Sequence, residues 1–134
     1  MNEQSTIELI NLVSGTELVL CKDEFSSYDA EDDTYIVEVK NRRAYYKEKL
    51  IEASKLYVNF QKAEILRKKF LYVVTDEKGV WVYNITKAMK VVVNLPIRAV
   101  ECPMTTDFGR NDKITKYSYV LPEDMAIKLN KNDE

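Results

Sequence analysis

The segment Thr34–Lys40, TYIVEVK, constrains the fold more than any other part of the sequence. Its β-branched and aromatic residues favour a strand, and the Asp32-Asp33 pair before it is a turn signal. Side chains alternate between the two faces of a strand. Glu38 and Lys40 therefore project on the same side as Ile36, although the surrounding residues are apolar. The sequence thus predicts a largely buried strand that carries a charged pair on one face.

Hydrophobic periodicity and turn residues predict further elements on both sides of this strand. The first element is a helix from Ser5 or Thr6 to Val13, which ends at Ser14-Gly15. Three strands follow, over Thr16–Asp23, Phe25–Glu31 and Thr34–Lys40. They are followed by a long helix over Tyr46–Lys69 and a hairpin over Phe70–Ile85, with Gly79 in its turn. After Thr86, the segments MKVVV, IRAVE and KYSYVL are candidate strands, and CPMTTDFGRND has the composition of a loop. The order α-β-β-β-α-β-β predicts a single α/β or α+β domain over residues 1–134, with a central mixed sheet flanked by helices.

Composition narrows the chemistry and the compartment. The chain has no histidine, which removes His-based catalysis and the common zinc hydrolase sites. No stretch approaches the ~18 apolar residues of a membrane span, and the segment MNEQSTIELINLV lacks the basic region of a signal peptide. Cys21 and Cys102 are expected to be reduced thiols. These observations predict a cytoplasmic protein that does not enter a membrane.

Charge is strongly segregated along the chain. Residues 1–39 hold one lysine and ten acids, net −9, whereas residues 40–69 hold ten basic residues and three acids, net +7. The remaining residues are neutral overall. An acidic block beside a basic block suits a cation-binding site next to a surface for a polyanion. The alternative is that the two blocks pair with each other as solvated faces.

Acids on neighbouring strands predict an oxygen-ligand metal site. If Asp32-Asp33 is a two-residue turn, Glu31 pairs with Thr34 and Asp29 pairs with Ile36. Asp29 then shares a face with Glu38 at roughly 7–8 Å, the spacing of diagonal neighbours. Two such carboxylates suit Mg²⁺ or Mn²⁺ rather than zinc. The alternative is a surface salt bridge between Glu38 and Lys40.

Asp29 followed by Glu38-Val39-Lys40, after one helix and before another, resembles the PD-(D/E)XK nuclease superfamily with its restriction-endonuclease-like core. The resemblance covers residues 1 to about 85. It implies that Asp29 and Glu38 bind Mg²⁺, that the carbonyl of Val39 adds a ligand, and that Lys40 assists the attacking water.

The resemblance also implies an acid on the first helix that faces the metal. Glu8 is the chosen match, with Glu3 behind it. The chain departs from the family pattern because Tyr28, and not proline, precedes Asp29. Asp23, on the same face by alternation, is the rival for the role of Asp29.

The predicted function is Mg²⁺- or Mn²⁺-dependent endonucleolytic hydrolysis of DNA. The basic residues after the motif are candidate phosphate contacts, or alternatively a solvated helix start: Arg42, Arg43, Lys47 and Lys49. A small domain has little room for sequence readout, so the resemblance suggests structure-selective or nonspecific cutting, as in small phage-encoded or repair-type nucleases, with a homodimer as one option. The alternative function is a catalytically inactive relative that binds nucleic acid or a protein partner.

Overall fold

The computed structural model describes residues 1–103 and 113–130, and within them the chain forms three α-helices and nine strands. The helices are α1 (Glu3–Ser14), α2 (Ala53–Leu66) and α3 (Ile85–Val92). The strands are β1 (Val19–Leu20), β2 (Ala30–Glu31), β3 (Tyr35–Asn41), β4 (Lys49–Glu52), β5 (Lys69–Asp76), β6 (Gly79–Asn84), β7 (Ile97–Pro103), β8 (Lys113–Leu121) and β9 (Ile127–Leu129), with a 3₁₀ turn at Glu123–Met125. The predicted mixed α+β class is confirmed.

Six strands form a mixed central sheet in the order β1-β2-β3-β5-β6-β9. β3 and β5 are parallel, and the other neighbouring strands are antiparallel. A parallel pair requires a crossover connection, and the segment containing β4 and α2 provides it. β4 also begins a second, antiparallel sheet in the order β4-β8-β7. This small sheet therefore starts inside the crossover of the large one.

Apolar side chains cover both faces of the central sheet. On the α1 face, the buried cluster includes Ile7, Leu9, Ile10, Val37, Val39 and Val73. On the opposite face, a second cluster joins the sheet to α2, α3 and the small sheet, and it includes Ile36, Ile51, Leu56, Phe70, Tyr83 and Ile85. The central strands β3 and β5 are thus covered on both sides, as expected for a parallel pair.

Helix α1 begins earlier than predicted because Asn2 caps it. The Asn2 carboxamide oxygen accepts a hydrogen bond from the Ser5 backbone N–H at 2.8 Å, and the Ser5 hydroxyl accepts one from the Asn2 N–H at 3.1 Å. This reciprocal pair satisfies donors that a helix start otherwise leaves free. The predicted end is confirmed, since Gly15 adopts the left-handed conformation that terminates many helices.

The single helix predicted over Tyr46–Lys69 is wrong in its first part. Lys49–Glu52 is strand β4, paired with β8, and α2 starts only at Ala53. Burial alternates along β4, with Lys49 and Ile51 buried. The partner strand lies more than sixty residues later in the chain, so local sequence periodicity carried no sign of this pairing.

The pairing of β2 with β3 differs from the predicted register by two residues. Glu31 lies opposite Ile36 rather than Thr34. The reason is the side chain of Asp32, whose Oδ1 accepts hydrogen bonds from two backbone N–H groups leading into β3, at 2.8 and 2.7 Å. This widens the turn. Because the register shifts by two residues, every side chain stays on its predicted face of the sheet. Asp29 comes to lie two residues further along β3 than predicted, level with Glu38.

Other predicted elements have mixed outcomes. The hairpin is confirmed as β5 and β6, and IRAVE and KYSYVL lie within β7 and β8. The first two predicted strands are reduced to β1 and β2, and MKVVV belongs to α3 and its end rather than to a strand. Most of the predicted loop CPMTTDFGRND lies outside the described residues. Across the described ranges, no helix has the length and apolar character needed to cross a membrane.

Replacing Gly79 with alanine is expected to destabilise the fold by about 1–3 kcal/mol. Gly79 has φ +152°, and an added Cβ would lie 2.8 Å from the Leu129 carbonyl oxygen of β9. Urea denaturation would measure the loss. Gly15→Ala is the control, since its φ is +68° but its added Cβ would meet no other part of the fold within 4 Å beyond its own chain neighbours. If the Gly79→Ala protein is as stable as the Gly15→Ala protein, the close approach of β9 does not require glycine at position 79.

Candidate active site

The predicted charged pair lies at the carboxyl end of β3, where the strand leaves the central sheet. Glu38 and Lys40 align with Tyr72 and Val74 of β5 in the parallel pairing. Arg42 follows the end of the strand, and its backbone N–H donates to the Thr75 carbonyl at 2.8 Å. In open, mostly parallel sheets, ligands bind in the crevice beyond the carboxyl ends of the strands, and β3 and β5 are the parallel pair of this sheet.

The small sheet and α2 form the other walls of a cleft at this position. The cavity has a volume of about 300 Å³ and is bounded by β3, β5, β4, α2, β7 and β8. We call it the β3 cleft. Its charged lining residues are Glu38, Lys40, Arg42, Glu52, Lys55 and Lys116. The floor includes Tyr72, whose hydroxyl donates to the Leu50 carbonyl at 2.7 Å. The cleft thus carries four cations and two carboxylates.

Glu38 is a buried carboxylate, with only 7% of the residue exposed. Its Oε1 lies 3.0 Å from the ammonium of Lys55, whose side chain is half exposed at the start of α2. Burial raises the pKa of the Glu38 carboxyl and the Asp29 carboxylate raises it further, whereas the hydrogen bond from Lys55 opposes the shift. A buried acid with a neighbouring acid is costly unless a cation compensates it. Lys55 supplies part of that compensation.

Asp29 lies directly beside Glu38. Its backbone N–H donates to the Val37 carbonyl at 2.8 Å, and its Oδ2 accepts a hydrogen bond from the Val39 N–H at 2.7 Å. Asp29 is therefore bonded to the residues on both sides of Glu38. The side chain of Val39 is buried in the α1-facing core, so any contribution to a metal site would come from its carbonyl.

The rival acid Asp23 is used locally. Its Oδ1 accepts a hydrogen bond from the Phe25 N–H at 2.9 Å, and its carbonyl accepts one from the Ser26 N–H at 3.1 Å. Asp23 thus stabilises the exposed loop between β1 and β2. These contacts favour Asp29 over Asp23 as the second carboxylate of the site.

On helix α1, Glu3 rather than Glu8 interacts with the acids of the site. Burial raises the pKa of Glu3 and the Asp29 carboxylate adds to the shift, while Glu3 in turn contributes to the raised pKa of Glu38. Glu3 and Glu8 are both exposed, and Glu8 accepts a hydrogen bond from the Gln4 side chain at 2.9 Å.

The predicted phosphate contacts separate into three environments. Arg42 lines the β3 cleft, and Arg43 and Lys47 are exposed on the segment between β3 and β4. Lys49 departs from the prediction because it is 3% exposed and its ammonium lies 3.3 Å from the carboxylate of Asp76. Lys49 therefore faces a buried partner rather than solvent.

Sequence reasoning missed three charged residues of the cleft: Glu52, Lys55 and Lys116. Lys55 was included in the basic block, but its approach to Glu38 depends on where α2 begins. Glu52 lies 3.5 Å from Lys116 across the β4–β8 pairing. No local signal in the sequence could have brought these two residues together, because the strands that carry them are far apart in the chain.

The acids of the site do not form a complete ligand cage. In residues 1–103 and 113–130, no three His, Cys, Asp or Glu side chains are grouped so that they could hold a metal ion. Asp29 and Glu38 would provide two carboxylates at most, with the remaining ligands coming from backbone, water or substrate.

Comparison of the chain with protein-family models, with curated proteins and with solved structures found no match.

Proposed function

We propose that this protein is a Mg²⁺- or Mn²⁺-dependent nuclease that hydrolyses phosphodiester bonds of DNA. One observation carries the proposal. The buried carboxylate of Glu38 opens into a cleft rich in cations, with Asp29 beside it and Lys40 two residues further along the same face of β3. Carboxylates that bind a cation next to ammonium groups that bind phosphate are the arrangement that hydrolysis of a phosphodiester needs.

The donor set suits a hard cation. Asp29 Oδ2 and Glu38 Oε1 already have partners in the chain, which leaves one oxygen of each carboxylate for an ion. Mg²⁺ commonly binds through one or two carboxylates, retains several waters and takes further ligands from substrate phosphate. A two-carboxylate site is therefore compatible with Mg²⁺. When bound, the ion would supply an acidified water and neutralise charge on the phosphate.

The residues of the chain have distinct roles in this proposal. Asp29 and Glu38 hold the ion, and the carbonyl of Val39 is the third candidate ligand. Lys40, on the same strand face, stabilises charge that develops on the phosphate and orients the attacking water. The negative charge of Glu3 contributes to the raised pKa of Glu38, and it adds to the negative potential that favours a cation beside Asp29 and Glu38.

The element order supports a restriction-endonuclease-like core. Helix α1 precedes the antiparallel strands β1, β2 and β3, and α2 leads to the parallel strand β5 and its hairpin partner β6. This is the order that the resemblance to the PD-(D/E)XK superfamily implies, with β4 inserted before α2. The small size supports structure-selective or nonspecific cutting, as in phage or repair-type nucleases.

A second candidate function is a nuclease-fold module that binds nucleic acid without cutting it. The ion pair between Lys55 and Glu38 at 3.0 Å favours this candidate, because a cation of the chain already offsets the acid. The two functions differ in whether Mn²⁺ at millimolar concentration binds and supports cleavage.

The proposal is tested by incubating branched, single-stranded and duplex DNAs with the protein and Mn²⁺. Cleavage of at least one substrate is expected. Asp29→Asn should lower the rate on the order of 10²-fold or more, since the amide cannot replace a charged metal ligand. Asp23→Asn is the matched control and should retain the wild-type rate. Full activity of the Asp29 variant would refute the assignment of Asp29, and uncut DNA throughout the panel would leave only the binding function.

A further inference from the structure

We propose that the β3 cleft binds the backbone of an unpaired DNA strand, with Lys40 and Arg42 as the phosphate-binding pair. This rests on the proposed function, which it deepens by naming the substrate form. Two features of the cleft support it: the cations that have no carboxylate partner among the described residues, and the size of the space between the walls.

The cleft has two cations in excess. Its carboxylates are both paired, Glu38 with Lys55 at 3.0 Å and Glu52 with Lys116 at 3.5 Å. In the described part of the chain, no carboxylate lies within 4.0 Å of the charged groups of Lys40 or Arg42. Lys40 lies on β3, Arg42 follows two residues later just beyond the end of the strand, and both line the cleft. Like charges so placed repel each other, and a phosphate between them removes the repulsion.

A second cavity continues the cleft beyond Arg42. It has a volume of about 370 Å³ and shares Arg42 and Leu50 with the β3 cleft. Its lining also includes Arg98 of β7 and two carboxylates, Glu48 and Asp76, and Asp76 is paired with Lys49. Arg98 forms an ion pair with Glu48. Arg42 thus stands at the junction of two cavities, and a chain of phosphates could pass it from one to the other.

The walls limit what can enter. β3 and β5 lie on one side of the cleft, and β4, β7 and β8 lie on the other. Cavities of about 300 and 370 Å³ accommodate single nucleotide units, whereas a duplex is wider than its major groove of about 12 Å. A space of this size suits one strand better than two, and Glu38 lies buried within it. The cleft therefore favours single-stranded DNA, or the unpaired part of a branched molecule.

Binding is measured without metal, in EDTA, so that the result does not depend on cleavage. A short fluorescently labelled single strand and the blunt duplex of the same sequence are compared by anisotropy over a range of salt concentrations. The wild-type protein is expected to bind the single strand at least tenfold more tightly. The Lys40→Gln/Arg42→Gln variant should lose most of this affinity, and the slope of log K against log salt should shrink by about 1.4, since each phosphate contact on a single strand contributes about 0.7.

Lys87→Gln/Lys90→Gln is the matched control. It removes the same charge from exposed positions on α3, away from the lining of the β3 cleft. It should keep the wild-type affinity and preference. Equal loss in both double variants, or duplex binding as tight as single-strand binding, would overturn the inference. Loss confined to the cleft variant, in a protein that cuts no DNA with any metal, would uphold the inference while the nuclease proposal fails.

Discussion

Glu38→Gln is expected to leave a folded protein that still binds DNA but cleaves it on the order of 10²–10³-fold more slowly. Glutamine keeps the shape of the side chain and can keep a hydrogen bond to Lys55, but it removes the charge that would hold a cation at the end of β3. Single-turnover cleavage in Mn²⁺, with binding measured separately in EDTA, distinguishes lost catalysis from lost affinity.

Glu52→Gln is the matched control for Glu38, because it changes the other carboxylate of the same cleft. Glu52 is paired with Lys116 and lies on β4 rather than beside Asp29. Its variant should retain activity within a few-fold of the wild-type protein. Undiminished cleavage by Glu38→Gln would end the nuclease proposal, whatever the control shows.

The same variant should change how stability depends on pH. Burial and the Asp29 carboxylate raise the pKa of Glu38, so the folded state holds this proton more tightly than the unfolded state does. The cost of ionising Glu38 in the folded protein is absent at low pH and fully present above the folded-state pKa. Without metal, Glu38→Gln should therefore be at least as stable as the wild-type protein at pH 7. Any advantage should vanish below about pH 4, where the wild-type carboxyl is protonated in both states.

The largest expected loss of stability follows from Asp76→Ala, at about 3–5 kcal/mol. Asp76 and Lys49 are 2% and 3% exposed, and their charged groups lie 3.3 Å apart. The carboxylate also accepts hydrogen bonds from Trp81 Nε1 at 3.1 Å and from the backbone N–H groups of Lys78 and Gly79 at 2.8 and 3.2 Å. Alanine would leave the buried Lys49 ammonium with the Tyr46 carbonyl but no counter-charge, and it would leave three buried or turn donors without their acceptor.

Urea denaturation of Asp76→Ala and of the double variant Lys49→Met/Asp76→Asn measures this effect. The double variant removes both charges, and the asparagine oxygen still accepts from the turn, so most of the stability should return. The ring centroids of Tyr45 and Trp81 lie 4.2 and 4.4 Å from the Lys49 ammonium, and these rings would pack against the methionine in the double variant. A loss below about 1 kcal/mol for Asp76→Ala would mean that the Lys49 ammonium is hydrated in the folded protein.

The sequence was informative where structure depends on neighbours in the chain. Alternation over Thr34–Lys40 predicted β3 and the shared face of Glu38 and Lys40, and Gly79 marked the turn between β5 and β6. Side-chain period and turn chemistry act within a few residues, so one sequence reveals them. The predicted register of β2 against β3 was wrong by two residues. Because an even shift keeps each side chain on its face of the sheet, Asp29 still lies near Glu38.

The rest depended on contacts between distant segments. The segment around Lys49 has a helical pattern in the sequence, but in the structure it is a strand paired with β8. In that strand Lys49, a predicted phosphate contact, is the buried ion-pair partner of Asp76. Lys116 entered the cleft through the same pairing. Such outcomes follow from tertiary packing that overrides local propensity.

The insertion of β4 into the crossover also determines the order in which a growing chain can complete its cleft. Asp29, Glu38 and the parallel pair of β3 with β5 are all synthesised before β7 and β8 exist. The β4–β8 pairing must then close a loop of more than sixty residues. Long-range pairing of this kind is slow, because the chain loses conformational entropy on closing the loop before the strand contacts stabilise it. In a nascent chain, the strands that carry Asp29 and Glu38 can therefore form early, and the β8 side of the cleft, with Lys116, forms late.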